Sequence, residues 1–247
     1  MDGGVEPVPI LMQNKIYSWL DREFIELSGE AHPAASVEDE TNDLFRRFED
    51  ELKAHGMSLQ NTVRTRVWGR DTEARTLATA ARSKILTGSV KAASSSYISP
   101  RRFDSDARVA LDLLAMRPFR PDAERRPVEF EPPRNYLCYL RYDNVVFLSG
   151  YTSAADGLEN QVPQILAAVA NGLVAAGTNW GNMVKLSLFL HRSQKIEVLK
   201  ELLVKAPFST DISKAEFGFV EGYAGDKSLL EVEATALIGS STPKIKD

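Results

Sequence analysis

The feature that most constrains the fold of this chain is an internal repeat with a constant spacing of 121 positions. The apolar run that ends in Ser28 and Gly29 returns in the run that ends in Ser149 and Gly150. At the same spacing, further pairs match in residue type: Leu44 with Ile165, Leu52 with Leu173, Gly56 with Gly177, Asn61 with Asn182 and Val63 with Val184. Agreement without gaps over this length predicts two copies of one structural unit. Two unrelated αβ segments of similar period are the alternative.

Periodicity in the second copy predicts the elements of that unit. Residues 161–176 and 195–206 have helical spacing, and Gly177 follows the first helix where a C-terminal cap is expected. Alternation predicts strands at 136–142, 145–148, 183–191, 215–220 and 228–238. The first copy repeats this order. We therefore expect an α+β fold of two β-β-α-β-α-β-β units, with the helices on one face of each sheet.

A stretch rich in proline and charge separates the two copies. Residues 116–135 have little apolar periodicity, which is typical of an extended linker without secondary structure. We expect a first domain over residues 1–120, a linker over 121–135 and a second domain over 136–247.

The closing strand of the second copy carries a second buried face. Leu230, Val232, Ala234 and Ala236 alternate toward the helices, whereas Glu231 and Glu233 point away from them together with Leu229, Thr235 and Leu237. A face that mixes leucine with carboxylates is too apolar for free solvent. We therefore expect it to pack against another domain or subunit.

Composition excludes several classes of protein. The net charge of −4 gives no field that attracts nucleic acid or an anionic membrane, and a lone cysteine excludes an internal disulfide. No segment approaches the roughly 20 apolar residues of a membrane span, and the N-terminus lacks the pattern of a signal peptide. We expect a cytoplasmic protein with neither nucleic-acid nor membrane partner. Scattered histidines and the lack of a glycine-rich phosphate loop predict no metal and no cofactor.

The repeated motifs resemble those of the Rid family, the reactive intermediate deaminases of YjgF type. They are "FLSG", "AAGTNWGNMVKLSLFL" and "LLEVEATAL" in the second copy, and "IELSG" and "RVALDLLAM" in the first. The resemblance covers nearly the whole chain, once per copy. It implies trimers whose sheets pack into a barrel-like core, with active sites in clefts between neighbouring units. We therefore expect a homo-oligomer, either a trimer or a pseudo-hexamer.

The resemblance also implies a chemistry and a set of site residues. Rid proteins hydrolyse imines or enamines of 2-amino acids to 2-keto acids and ammonia without a cofactor. In the second copy, Ser149 and Gly150 match the family's turn, Tyr136 falls at its tyrosine position, and Glu231 falls at the position of the glutamate that activates water. Tyr136, Ser149 and Glu231 are the predicted catalytic residues, and Gly150 is a predicted substrate contact.

The family's carboxylate-binding arginine is missing from the second copy. A gapless alignment places Glu216 at its position, and a shift of two residues places Lys214 there, which would keep the charge. The first copy departs further, with Ser95 at the arginine position, Ala110 at the glutamate position and Lys15 at the tyrosine position. We expect Lys214 to contact the substrate and the first copy to be degenerate as a catalyst.

Two arginines of the first copy are candidates to replace the missing one. Arg64 and Arg66 alternate with helix-facing residues and point toward the expected interface. They either bind the substrate carboxylate or pair with Asp112, Glu231 or Glu233 across the interface.

These residues favour an enzyme, a cofactor-independent hydrolase or deaminase of a small imine, enamine or related reactive metabolite. Two alternatives stay open. The missing arginine is compatible with a non-catalytic ligand-binding or assembly module of the same fold. Chorismatases, which resemble tandem Rid folds, set a precedent for other chemistry on a carboxylated ring substrate.

Overall fold

The chain forms two β-sheets, each covered on one face by two helices, in a computed structural model that describes residues 12–206 and 215–239. Lys214, one of the predicted substrate contacts, lies outside the described residues. The predicted α+β class is confirmed. The predicted order β-β-α-β-α-β-β is found in the first half, and the second half has the same order with two further strands, residues 125–129 and 151–152.

The first half contains a five-stranded sheet in the order β1-β2-β5-β3-β4. Strands β3 and β4 run parallel, and the other neighbours are antiparallel. Its elements are β1 (Gln13–Trp19), β2 (Arg22–Glu30), α1 (Val37–Ala54), β3 (Thr62–Gly69), α2 (Thr72–Ile85), β4 (Ala93–Ile98) and β5 (Val109–Met116).

The second half contains a larger sheet in the order β11-β10-β12-β8-β7-β6, with the short β9 also paired to β12. Its elements are β6 (Arg125–Glu129), β7 (Leu137–Tyr142), β8 (Val145–Leu148), β9 (Tyr151–Thr152), α3 (Leu158–Ala175), β10 (Met183–His191), α4 (Ile196–Lys205), β11 (Ala215–Val220) and β12 (Leu230–Leu237). None of the helices in the described part of the chain is long and apolar enough to cross a membrane.

Local structure follows the repeat closely. Helices α1 and α3 are each followed by a glycine in the left-handed region, Gly56 at φ 66° and Gly177 at φ 80°. A 3₁₀ turn and then a strand next to the sheet edge follow in both halves, β3 in the first and β10 in the second. Only glycine takes this backbone conformation without steric cost, so the matched glycines stop both helices at equivalent points.

The predicted linker is partly wrong. Residues 125–129 form strand β6, which pairs antiparallel with β7 at the edge of the second sheet. Arg125 donates to the carbonyl oxygens of Thr62 at 2.9 Å and Lys91 at 2.8 Å, both in the first half. These backbone acceptors from a distant segment hold the stretch in place, and a local pattern of proline and charge gives no sign of them.

Each half has its own apolar core between sheet and helices. The second core contains Leu230, Val232, Ala234 and Ala236, all fully buried, so the inward face predicted for the closing strand is confirmed. Two further apolar clusters lie where the sheets meet. One contains Phe24, Val63, Met116, Leu140 and Phe147, and the other contains Trp68, Tyr97, Ala110, Phe189 and Tyr223.

A buried ion pair lies between these two clusters and crosses from one half to the other. The Arg66 guanidinium donates from Nη2 to Oε2 of Glu233 at 2.8 Å and from Nε to both carboxylate oxygens at 3.1 and 3.2 Å. Arg64 lies 3.3 Å from the same carboxylate, and Tyr97 donates to it at 3.2 Å. The outward face of the closing strand therefore packs against the other half of the same chain.

We expect Arg66→Ala to destabilise the fold by about 3 kcal/mol, because it leaves Glu233 buried with a weaker partner. Urea unfolding followed by circular dichroism measures the change. Lys84→Ala, which breaks an exposed ion pair with Glu38, is the control and should cost less than about 1 kcal/mol. Equal losses in the two variants would contradict the importance of the buried pair.

Candidate functional site

A cleft of about 110 Å³ lies between the two halves. This is several times the roughly 10–15 Å³ that one water molecule needs. The first half contributes β4 and one face of α2, and the second half contributes β12, the turn after β8 and the chain before β7. The lining residues are Arg75, Thr79, Arg82, Ser94, Ser95, Ser96, Asn135, Tyr136, Gly150, Thr152, Ala224 and Glu231. Three predicted site residues, Tyr136, Gly150 and Glu231, are therefore brought together.

Strand β4 is hydrogen-bonded to the second half at the turn formed by Ser149 and Gly150, which is part of the repeated motif. The Ser94 amide donates to Oγ of Ser149 at 3.0 Å, and the Gly150 amide donates to the Ser94 carbonyl at 3.2 Å. Further along, the Ile98 amide donates to the Gly222 carbonyl at 2.9 Å. Ser149 is fully buried and does not line the cleft, so its visible role is to fix β4 opposite Glu231.

Glu231 is the acidic residue among those that line the cleft, and it is 6% exposed. Burial raises the pKa of Glu231 to about 8, and the neighbouring charge of Glu233 adds to the effect. The positive charges of Arg75 and Arg82 oppose this rise without overcoming it. Because the raised pKa lies above neutral pH, the carboxyl of Glu231 is mostly protonated there and can donate a proton.

Glu233, two residues further along the same strand, is in the opposite state. Burial alone would raise the pKa of Glu233, but the charges of Arg66 and Arg64 outweigh burial and lower it to about 2. Two carboxyl groups on one face of β12 thus differ in protonation, because Glu233 has guanidinium groups at ion-pair distance whereas those near Glu231 lie further away. Such a separation of pKa values is typical of acid–base pairs in active sites.

Gly150 is required by the position of the Glu231 carboxyl. A Cβ atom at residue 150 would lie 1.8 Å from Oε1 of Glu231 and 2.5 Å from its Cδ. The backbone of the turn after β8 therefore forms one wall against the carboxyl, and any side chain there would displace it.

Two arginines of α2 complete the cleft, and the sequence analysis missed them. The Arg82 side chain is buried and donates to the Ser95 carbonyl at 3.0 Å. Arg75 donates to the hydroxyls of Ser96 at 3.2 Å and Thr76 at 3.0 Å. Neither arginine has an ion-pair partner within residues 12–206 and 215–239. Burial lowers the pKa of Arg82 to about 10, which still leaves it charged at neutral pH.

A signal for these arginines exists in the sequence. Arg75, Thr79 and Arg82 have the i, i+4, i+7 spacing of one helix face, on a helix whose other buried residues are mostly alanines. Small alanine side chains let the helix pack closely against its neighbours, and the row of Arg75, Thr79 and Arg82 beside them indicates that this side of the helix also contacts polar groups. The repeat alignment gave no reason to single it out, because the family motifs lie on strands and turns.

The other predicted substrate contacts lie elsewhere. Arg64 and Arg66 line a separate groove of about 450 Å³ and not the Glu231 cleft. Arg64 donates from its two terminal nitrogens to Oγ1 of Thr235 and to the Leu148 and Ala234 carbonyls, at 2.9–3.2 Å, so both of these nitrogens are bound within the chain. Glu216 also lines this groove and pairs with Lys185 at 2.9 Å. These contacts fit the interface alternative given for the two arginines.

Tyr136 lies at the opening of the cleft, before β7. Its hydroxyl accepts a hydrogen bond from Nη1 of Arg134 at 2.7 Å, and its ring packs edge-on against Phe130 at 5.2 Å between centroids. The hydrogen bond from Arg134 therefore fixes the Tyr136 hydroxyl at the opening of the cleft. In the described part of the chain, no group of three or more histidine, cysteine, aspartate or glutamate residues is arranged to hold a metal ion.

We expect Gly150→Ala to leave the fold intact but to push the Glu231 side chain away from its position, because the flexible carboxyl is the group that must move. The displaced carboxyl gains water, and its pKa should fall toward its ordinary value near 4.5. Carbon-13 NMR of labelled glutamate measures this pKa. Gly181→Ala in an exposed turn is the control, and an unchanged Glu231 pKa in Gly150→Ala would contradict the packing argument.

No model of a known protein family matches the sequence, and no curated protein matches it either. Solved structures do match the fold. A crystal structure of a chorismatase has a TM-score of 0.62 and 16% sequence identity, and the match covers 93% of this chain and 80% of that one.

Proteins of single-unit length match one half of this chain. Rv2704 from Mycobacterium tuberculosis, of the YjgF/YER057c/UK114 family, is 22% identical and covers 46% of this chain and 99% of its own, with a TM-score of 0.40. Yeast Mmf1 is 20% identical and covers 47% and 100%, with a TM-score of 0.42. At such identities similarity shows the fold alone. The chain has the chorismatase fold along nearly its whole length, which confirms the expected tandem Rid-like architecture.

Proposed function

We propose that the chain is a cofactor-independent hydrolase of a small imine or enamine derived from a 2-amino acid. The observation that supports this most is the meeting of a protonated carboxyl, Glu231, with two buried arginines that lack an ion-pair partner among the described residues. A cleft with an acid and fixed positive charge suits a substrate that has a carboxylate and needs a proton.

In the proposed reaction Glu231 transfers every proton, as an acid and as a base in turn. Its carboxyl first gives a proton to the imine nitrogen, which makes the neighbouring carbon more electrophilic. A water oxygen then attacks that carbon, the C=N π electrons move to nitrogen, and the Glu231 carboxylate takes the proton that water releases. The re-protonated Glu231 carboxyl then gives its proton to the carbinolamine nitrogen, the C–N bond breaks with loss of ammonia, and the hydroxyl oxygen forms the C=O bond of the 2-keto acid while its proton returns to the carboxylate. One water is consumed for each ammonia released.

Arg82 takes the role of the carboxylate-binding arginine in this proposal. The family position for that arginine is occupied by Ser95 in the first half, and Arg82 donates to the carbonyl of the same Ser95. The Arg82 guanidinium therefore lies beside the strand position at which the family has its arginine. A planar guanidinium binds a carboxylate with two parallel hydrogen bonds, which fixes the substrate's orientation. Tyr136 closes the opening and Gly150 holds the acid in place.

A homo-oligomer stays part of the proposal. The groove of about 450 Å³ that contains Arg66, Lys185 and Glu216 lies on the sheet faces where a third Rid-like unit would pack. We expect light scattering to give the mass of a trimer or larger assembly, and a monomer at all concentrations would contradict this. A cytoplasmic location and the absence of nucleic-acid and membrane partners likewise remain predictions.

We expect the purified protein to speed ammonia release from imines that an amino-acid oxidase generates in the same reaction. Glu231→Gln should lower kcat/KM by about 10²–10⁴-fold, because the amide neither donates nor accepts the transferred proton. The acid form of Glu231 is required, so kcat/KM should fall as pH rises through about 8. The exposed Glu201→Gln is the matched control.

Two outcomes would contradict this proposal. Wild-type activity in Glu231→Gln would remove the catalytic role of the carboxyl. Ligand binding in a thermal-shift assay with no turnover of any imine would favour the non-catalytic binding module.

A further inference from the structure

The charges of the cleft do not balance for the simplest imino acid. The lining residues include two arginines, one carboxyl that is mostly protonated at neutral pH, and otherwise uncharged groups. A substrate with a single carboxylate meets Arg82 and leaves Arg75 without an anion. A buried charge without a partner is costly, so the cleft is best matched by two negative charges.

The Arg75 guanidinium also lacks one of its hydrogen-bond partners within the described part of the chain. Arg75 is 9% exposed, and its Nε atom is buried without a hydrogen-bond partner in the structure. The hydroxyl of Thr79, 8% exposed and one helical turn away, is buried without a partner as well. Both residues line the cleft on the same face of α2. Both side chains therefore keep hydrogen-bonding capacity that the described part of the chain does not use, on the wall of the cleft that α2 forms.

The two arginines differ in their surroundings. Arg82 lies at 4% exposure with its Nη1 donating to the Ser95 carbonyl, next to the position assigned to the 2-carboxylate. Arg75 lies two helical turns toward the start of α2, beside Ser96. Both line the same cleft from one helix face, so one small molecule in the cleft can meet both guanidinium groups through two different carboxylates.

We infer that the preferred substrate is a dicarboxylic imine, derived from an acidic 2-amino acid, with Arg75 and Thr79 binding its side-chain carboxylate. This inference rests on the proposed function. The hydrolysis itself is unchanged: water adds across the C=N bond, ammonia leaves, and a dicarboxylic 2-keto acid is formed. Arg75 is a specificity-determining residue here, since it touches the far end of the substrate and not the reacting carbon.

The test compares imines generated from L-glutamate and L-aspartate with the imine generated from L-leucine, each by a suitable oxidase. Wild-type kcat/KM should be at least about tenfold higher for a dicarboxylic imine. Arg75→Gln should reduce the ratio of dicarboxylic to leucine activity at least tenfold, and Arg82→Gln should lower activity on every imine. Thr79→Val, which keeps the side-chain shape, should move the ratio in the same direction and covers the case in which Arg75→Gln does not fold.

Binding gives an independent measurement. Glutarate and succinate should raise the Tm of the wild type more than butyrate does, and Arg75→Gln should remove the difference. Hydrolysis of the leucine imine with no preference for the dicarboxylic ones would overturn this inference and leave the proposed function standing. Equal losses on all imines in Arg75→Gln and Thr79→Val would overturn it too. Absence of turnover with every imine would overturn the proposed function, and the substrate assignment with it.

Discussion

The bidentate pair between Arg66 and Glu233 is the interaction on which the rest of this structure depends. It crosses from the first sheet to the second between two apolar clusters, and the Glu233 side chain is fully buried. Hydrophobic contact is not directional, whereas a guanidinium and a carboxylate match in one plane only. Together with the hydrogen bonds of β4 to Ser149 and Gly222, the pair therefore determines how the strands of the two halves lie against each other.

The same pair determines the chemistry of its neighbour. Glu233 stays ionised because Arg66 and Arg64 surround it, and its negative charge then helps to keep the proton on Glu231. Arg64 and Arg66 are bound to Glu233 and do not line the cleft. The positive charge of the cleft therefore comes from a different element, helix α2. On strand β12, Glu233 therefore belongs to the ion pair between the halves, whereas Glu231, two residues away, lines the cleft.

Much of the fold could be predicted from the sequence, because glycines and alternating strand residues that recur at one constant spacing indicate two copies of the same structural unit. The alternation of β12 placed Glu231 on the correct face, and Tyr136 and Gly150 lie beside it. Arg75 and Arg82 could not be found in this way, because they meet Glu231 only through packing between segments about 150 positions apart. The strand at residues 125–129 was missed for the same reason, as its anchors are carbonyl oxygens of the other half.

The residue that matches Glu231 in the first copy has a different place in this arrangement. Ala110 occupies the glutamate position and is buried in the cluster of Trp68, Tyr97 and Phe189 that joins the halves. A carboxylate there would be buried among aromatic rings, at a cost of several kcal/mol without a partner. The first copy instead supplies β4 and α2 as walls for the acid of the second copy. Each copy therefore keeps what the other lacks, and a cleft of this kind requires both copies in one chain or an equivalent assembly of separate units.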